Sequence, residues 1–163
     1  MYFNLVIVLL GVTYTRVSAA PTEKAPSHQL EKRALTFADA LAGCYVPSAD
    51  ISLFWTNSKT SEHAQSIAEE YADAHDLITM DEACESVLET AASHDMNTIS
   101  EAFAQATINA GSKIAYVILP NAGAGPKSMW IQQELPILKK AKLMLHKMSL
   151  ENPNKAPTIE KLS

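Results

Sequence analysis

The sequence predicts an α/β fold: a small three-layer domain with a central, mostly parallel sheet flanked by helices. Residues 113–119, KIAYVIL, are almost continuously apolar, as in a strand buried on both faces of a parallel sheet. A second strand pattern at 50–55 is followed by a polar loop at 57–61 and an amphipathic helical pattern, which is how a βαβ unit begins. The 163 residues are enough for one domain of this kind.

The first 33 residues have the composition of a secretory leader followed by a pro-segment. Residues 1–19 combine an apolar run with the small-residue exit Val17-Ser18-Ala19, which is typical of a signal peptide. Residues 20–33 hold no aromatic residue and end at Lys32-Arg33, which we interpret as a dibasic processing site. The alternative is two exposed charges in a flexible linker. The interpretation predicts a secreted, extracellular protein.

From Ala34 onward the chain is acidic. Nine lysines and no arginine stand against 16 Asp and Glu, so the net charge is −7. Such a chain lacks the basic surface that binds nucleic acid or anionic lipid, so we expect no nucleic-acid partner and no stable membrane association. Cys44 and Cys84 are its two cysteines, and an oxidising secretory route favours a single disulfide between them; two buried thiols are the alternative.

Capping patterns locate the helices. Thr36 is expected to cap a first helix that ends at Gly43, and residues 64–72 repeat their apolar side chains at helical spacing. Thr79 is expected to cap a helix that continues to residue 92, and Thr98 to cap the next one.

The end of the chain is harder to interpret. Residues 139–148 alternate lysines with apolar residues and fit either a helix or an edge strand. Residues 149–163 contain Asn and Pro breaks and are predicted to be a flexible tail, which leaves 34–148 as the folded domain.

Glu134 is the candidate centre of the chemistry. It follows the loop after the central strand, and ligand sites in parallel sheets form where strands end and loops begin. Trp55 ends the first strand, and Asp81 begins a helix. Indole faces attract a flat cation, while a carboxylate stabilises the charge that develops on a sugar carbon as its leaving group departs. Core packing and the helix dipole are the ordinary explanations for the same residues.

Two common kinds of site are not predicted. The sequence has no His-x-x-x-His or Cys-x-x-Cys spacing, so we expect no metal site. The loop 122–128, AGAGPKS, fails the order of a phosphate-binding P-loop because Pro126 separates Gly125 from Lys127. The loop is a plain turn by this reading, although its backbone amides can hold an anion.

The order of these segments resembles the ADP-ribosyl cyclase and NAD glycohydrolase family, most closely its NAD-degrading toxin-type domains. The corresponding segments are Leu53-Phe54-Trp55-Thr56, Thr79-Met80-Asp81-Glu82, 98–106 (TISEAFAQA), 115–119 (AYVIL) and 128–136 (SMWIQQELP).

The resemblance implies roles for individual residues. Glu134 matches the catalytic glutamate, Trp55 a tryptophan that holds nicotinamide, and Asp81 the acid that faces the nicotinamide amide. The family's second tryptophan falls on Met96, which has no flat π face, so hydrolysis is expected to exceed cyclisation.

The phosphates are assigned by the same resemblance. The residues that fall where the family binds them are Thr56, Ser100 and the backbone from Ser128 to Trp130. The absence of arginine after Ala34 leaves lysines and amides to hold a second phosphate, which argues against a preference for NADP⁺.

The resulting prediction is a secreted NAD glycohydrolase that cleaves the nicotinamide–ribose bond of NAD⁺ to ADP-ribose and nicotinamide, with cyclisation as a minor activity. NAD⁺ is the substrate and no cofactor is expected. A toxin or effector role, with a protein inhibitor or a host target as partner, is the corresponding biological hypothesis.

Two alternatives remain: a catalytically inactive secreted interaction protein that retains the cyclase-like fold, and an unrelated small α/β secreted protein. Geometry separates the active from the inactive protein. In an enzyme, Trp55 and Glu134 line one cleft, whereas in an inactive scaffold Trp55 is packed and Glu134 faces solvent.

Overall fold

The computed structural model describes residues 34–56 and 63–163, which belong to one structural unit. The predicted signal peptide at 1–19, the pro-segment at 20–33 and the polar loop at 57–61 lie outside the described residues.

Helices and strands alternate along the described chain. The helices are α1 (Phe37–Gly43), α2 (Ala64–Ala74), α3 (Met80–Ala83), α4 (Glu85–Leu88), α5 (Met96–Asn109) and α6 (Leu135–Lys140). The strands are β1 (Leu53–Trp55), β2 (Ile114–Leu119), β3 (Met144–Ser149) and β4 (Thr158–Lys161). A 3₁₀ turn (Ser93–Asp95) precedes α5, and a π-helical turn (Trp130–Glu134) precedes α6. Among the described residues, none of the helices has the length and apolar character needed to cross a bilayer.

The strands form one sheet in the order β1-β2-β3-β4, which confirms the predicted fold class. β1, β2 and β3 are parallel, and β4 runs antiparallel to β3. The apolar strand β2 is central, with Phe54 of β1 opposite Val117 and Val117 opposite Lys147 of β3. Because side chains alternate between the two faces of a sheet, β1, β2 and β3 each contribute hydrophobic side chains to both faces.

Helices cover both faces. One face, which includes Phe54 and Val117, packs against α1, α5 and α6 in the larger hydrophobic cluster. The other face, which includes Leu53 and Ile118, packs against the alanine stripe of α2 in a smaller cluster. The domain therefore has three layers.

The segment after Thr79 is a correction to the predicted helix. Thr79 does cap it, since its Oγ1 accepts the Glu82 N–H at 3.4 Å. The helix then breaks at Cys84 instead of continuing to residue 92, which gives the short helices α3 and α4. Cys84 forms a disulfide with Cys44, as predicted, and so fixes the end of α1 to the junction of α3 and α4.

Thr98 is not the cap of the following helix. α5 already begins at Met96, because the buried carboxylate of Asp95 orders the turn before it. The two carboxylate oxygens of Asp95 accept hydrogen bonds from the backbone N–H groups of Leu35 at 3.2 Å and Ala92 at 3.0 Å. The side chain of Asp95, three residues before Thr98, thus sets the start of α5.

The last 25 residues also differ from the prediction. Lys142, with φ 59°, ends the turn after α6, and β3 then lies between β2 and β4, so it is not an edge strand. Residues 149–163 are not a loose tail, since β4 pairs with β3 and Leu150 and Leu162 are buried. The domain therefore extends past residue 148.

Candidate active site

A cavity of about 240 Å³ lies at the carboxyl end of β1. Most of its wall is apolar and aromatic, and among the described residues that line it only Glu134 has a carboxyl group. The lining residues are Leu53, Phe54, Trp55, Thr56, Met80, Phe103, Ser128, Met129, Trp130 and Glu134. An apolar cavity with a few convergent polar groups is the usual form of a small-molecule site.

Aromatic rings form the base of the cavity. Phe54 packs against Phe103, with ring centroids 4.8 Å apart, and against Trp130 at 5.7 Å. Trp130 is almost fully buried, so it belongs to the core that supports the cavity. Trp55 is only half-buried, and its indole is therefore the ring best placed to contact a ligand.

The π-helical turn brings Glu134 to the cavity. Its defining hydrogen bond joins the Leu135 N–H to the carbonyl of Trp130, five residues earlier. Such a turn is wider than an α-turn, so Trp130 and Glu134, four residues apart, project to nearly the same side. Both line the cavity as a result.

Pro136 gives a physical reason for the wide turn. Proline has no N–H to donate, and in an α-helix its ring would press on the carbonyl four residues earlier, that of Gln132. Widening the turn at that point relieves the contact. Ser128 fixes the start of the segment, because its Oγ accepts the Ile131 N–H at 3.3 Å.

Glu134 is an uncompensated buried carboxyl. Its side chain is 5% exposed, and neither its Oε2 nor the Oγ of Ser100 has a hydrogen-bond partner among the described residues. Burial raises the pKa of Glu134 to about 8, and the nearby Ser100 hydroxyl offsets only part of that effect. The carboxyl group is therefore largely neutral at pH 7.

A cation entering the cavity would reverse this state. Opposite charge within a few ångströms favours the ionised form of a carboxyl group. A positively charged ring beside Trp55 would thus lower the pKa of Glu134 and obtain a counter-ion, and none of the described residues that line the cavity is basic. The site is chemically suited to a flat cation.

Five of the predicted site residues are brought together. They are Trp55, Thr56, Ser128, Trp130 and Glu134, all of which line the cavity. Trp55 and Glu134 share one cleft, which is the arrangement expected of an enzyme.

Three predicted substrate-binding residues do not line the cavity. Met96 packs partly buried against the core, so it is not a substitute for a stacking wall. Ser100 is fully buried, so its hydroxyl influences Glu134 instead of meeting a phosphate. Asp81 follows Met80, which lines the cavity, but Asp81 itself is not among the lining residues.

Asp81 resembles Glu134 in one respect. Its Oδ2 is buried and has no hydrogen-bond partner in the described part of the chain. Burial raises the pKa of Asp81, and the negative charge of Glu69 on α2 raises it further. It is thus a second carboxyl whose ionisation is disfavoured by burial, and it lies on the helix that carries the lining residue Met80.

Leu53, Phe54, Met80 and Phe103 have no site role predicted from the sequence. All four line the cavity. Phe54 immediately precedes Trp55, and Met80 immediately precedes Asp81, so their positions beside candidate site residues were the available signal. Their apolar character made them indistinguishable from core residues.

No protein-family model matches the chain, and no curated protein matches it either. Among solved structures, the chain is similar to one of CD38, from a study of that protein's catalytic mechanism and of a conformationally flexible covalent enzyme–substrate complex. The identity is 18% and the TM-score 0.47, with 71% of this chain and 57% of that chain covered. The chain thus spans little more than half of the CD38 structure. A likeness of this size carries no information about activity, which has to come from the site itself.

Proposed function

We propose that the chain is an NAD⁺ glycohydrolase. The observation that carries the proposal is a buried carboxyl, Glu134, with one oxygen unpaired, in an aromatic cavity that also holds Trp55. Nicotinamide in NAD⁺ is a flat cation attached to a sugar, which matches both groups. The order of segments described in the sequence supports the same substrate.

The reaction follows from these groups. The pyridinium ring stacks on Trp55, and its charge draws the proton from Glu134 to solvent. The bond between ribose C1′ and the ring nitrogen breaks, and its electron pair neutralises the ring, which leaves as nicotinamide. The Glu134 carboxylate stabilises the positive charge on C1′, water adds there, and a proton is released with ADP-ribose.

Hydrolysis is the proposed main outcome, with cyclisation as a minor one. Cyclisation requires the adenine to fold back against C1′, and the position that carries the family's second tryptophan is Met96, which does not line the cavity. Water therefore has little competition at the sugar carbon.

We further propose that this activity is exerted outside the producing cell, as a toxin or effector function. The support is the leader pattern at 1–19 and the dibasic pair Lys32-Arg33 in the sequence. The disulfide between Cys44 and Cys84 is compatible with that route.

The second candidate is an inactive secreted interaction protein. The observation in its favour is that Asp81, the family's second acidic position, does not line the cavity. In that case a folded, oxidised sample leaves NAD⁺ unchanged.

The deciding experiment measures NAD⁺ consumption by the chain from Ala34, with its disulfide formed, and resolves ADP-ribose from cyclic product by chromatography. Consumption that Glu134→Gln abolishes supports the proposal. A sample whose circular dichroism matches a folded α/β protein but that leaves NAD⁺ intact overturns it.

A further inference from the structure

The cavity is small for a dinucleotide. Sites for drug-sized ligands begin at about 300 Å³, and this one has about 240 Å³. One aromatic ring with its ribose is a plausible filling for that space. The two phosphates and the second nucleoside of NAD⁺ would have to lie outside it.

The described surroundings provide little for those phosphates. No basic side chain is among the described residues that line the cavity. In the adjoining loop 121–128 there is one, Lys127, whose side chain is exposed. Guanidinium and ammonium groups are the usual partners of phosphate, and the described chain contains no arginine.

Three of the seven backbone N–H groups of the loop 121–128 already donate within the protein and are not free for an anion. The Gly123 N–H donates to Pro120 at 2.7 Å, and the Ser128 N–H to Gly125 at 2.9 Å. The Asn121 N–H already binds an anion of the protein itself, the carboxylate of Glu151, at 2.9 and 3.1 Å.

We propose that recognition ends at the ribosylated pyridinium, so that the site takes cationic N-ribosyl nucleosides at least as well as dinucleotides. This inference rests on the proposed function and specifies its substrate class. The bond changes are unchanged: C1′–N breaks, its electrons neutralise the ring, and water supplies the hydroxyl on C1′ and releases a proton. The products are the free base and ribose.

Net charge favours the same class. A nucleoside of this kind is a cation, whereas its phosphorylated forms are neutral or anionic. The chain from Ala34 has nine lysines and 16 acidic residues, and a field of that sign raises the local concentration of cations.

The test compares kcat/KM for nicotinamide riboside, its 5′-phosphate and NAD⁺ on the same sample. We expect kcat/KM for nicotinamide riboside to match that for NAD⁺ to within about threefold, or to exceed it. The reason is that remote groups of the substrate that are not bound do not stabilise the transition state. A value for NAD⁺ about 30-fold or more above that of the riboside overturns the inference and leaves the proposed function standing.

Binding of carbocyclic analogues separates the two proposals when turnover is absent. Carba-nicotinamide riboside and carba-NAD⁺ cannot form the oxocarbenium ion, so their dissociation constants report recognition alone. If the two analogues have comparable dissociation constants but neither nicotinamide riboside nor NAD⁺ is turned over, the proposed function is overturned and the inference about recognition is retained. No binding of either analogue overturns both.

Lysine variants provide the matched control. Lys127→Ala, and Lys59→Ala in the part of the chain outside the described residues, are expected to change the NAD⁺-to-riboside ratio of kcat/KM by less than about twofold. A selective loss of about tenfold for NAD⁺ in either variant would identify a phosphate contact and contradict the inference.

Ionic strength gives an independent readout. Raising salt screens the field of the protein, so kcat/KM for the riboside should fall while that for NAD⁺ stays flat or rises. The opposite pattern would mean that a local positive field guides the dinucleotide.

Discussion

Glu134 and Glu151 lie at the same end of the sheet, where the parallel strands finish, but the protein treats them in opposite ways. Glu151 is exposed and its oxygens accept hydrogen bonds from the Asn121 N–H and the Ser149 hydroxyl. Hydrogen bonds, first from its own backbone amide and then from Ser149 and Asn121, lower the pKa of Glu151 despite slight desolvation. Glu134 is buried, has an oxygen without a partner, and its pKa is raised.

The difference is the basis for interpreting Glu151 as a structural carboxylate and for proposing Glu134 as a reactive one. Glu151 joins the end of β3 to the loop after β2, and hydrogen-bond donors on both segments stabilise its charge. Burying an unpaired ionised carboxyl among aromatic rings, by contrast, costs free energy. Uncompensated groups of this kind concentrate at functional sites. The predictions below test whether this contrast is real.

The largest expected effect is on activity. Glu134→Gln should reduce NAD⁺ consumption by about 10²–10³-fold or more, because the amide cannot carry the charge that balances C1′. Glu151→Gln is the matched control and should stay within about twofold of the unmodified chain. Equal losses in the two variants would remove the distinction between the two carboxylates.

The next effect is on stability, and it has the opposite sign. The pKa of Glu134 is about 8 when folded, above its ordinary 4.5. Its neutral form therefore stabilises the fold fully below pH 4.5, and this contribution is lost as pH rises towards 8. Glu134→Gln should raise the free energy of unfolding at pH 8 by an amount on the order of 4 kcal/mol, an upper estimate from that shift.

Urea unfolding of both chains at pH 4 and pH 8 measures this difference. The two curves should nearly coincide at pH 4 and separate at pH 8. A variant that is less stable than the unmodified chain at pH 8 would indicate that the carboxylate is paired in solution.

The third effect is the pH dependence of turnover. Since kcat/KM reports the ionisation of the free enzyme, it should rise about tenfold per pH unit up to about pH 8 and then level off. The dependence of kcat should be shifted to lower pH, because the bound cation lowers the pKa of Glu134. Steady-state rates between pH 5.5 and pH 9 give both profiles, and a kcat/KM plateau that is already reached at pH 6 would contradict the assignment.

The smallest expected effect concerns Trp55. Trp55→Ala should raise KM for NAD⁺ by about tenfold, which corresponds to a cation–π contribution of about 1–2 kcal/mol. Trp55→Phe keeps a weaker π face, so its KM for NAD⁺ should lie between that of the unmodified chain and that of Trp55→Ala. If Trp55→Ala leaves KM unchanged, the ring does not contact the pyridinium, and Phe54 or Trp130 would be examined next.

The sequence contains enough to predict the parts of the fold that depend on local pattern. The near-continuous apolar run of β2 identified the centre of the sheet, and the caps at Thr36 and Thr79 identified two helix starts. Trp55 and Glu134, which were expected to line one cleft in an enzyme, line the same cavity.

The errors occur where distant contacts decide the structure. β4 is a polar segment that becomes a strand because β3 is there to pair with it, through contacts such as Lys147 Nζ to Glu160 Oε2 at 2.9 Å. Met96 and Ser100 lie on α5, and only the packing of that helix decides which of its faces meets the cavity. No local pattern distinguishes these outcomes.

The π-helical turn was not predicted, although Pro136 was a usable signal for it. The turn also determines how the segment would respond to a change in its length. An insertion or deletion of a single codon between Trp130 and Glu134 would rotate the carboxyl away from the cavity while α6 and β3 keep their sequences. Such a change would produce a well-folded protein without its acid. At this point in the chain, the presence or absence of one amino acid therefore decides whether a carboxyl group lies in the cavity.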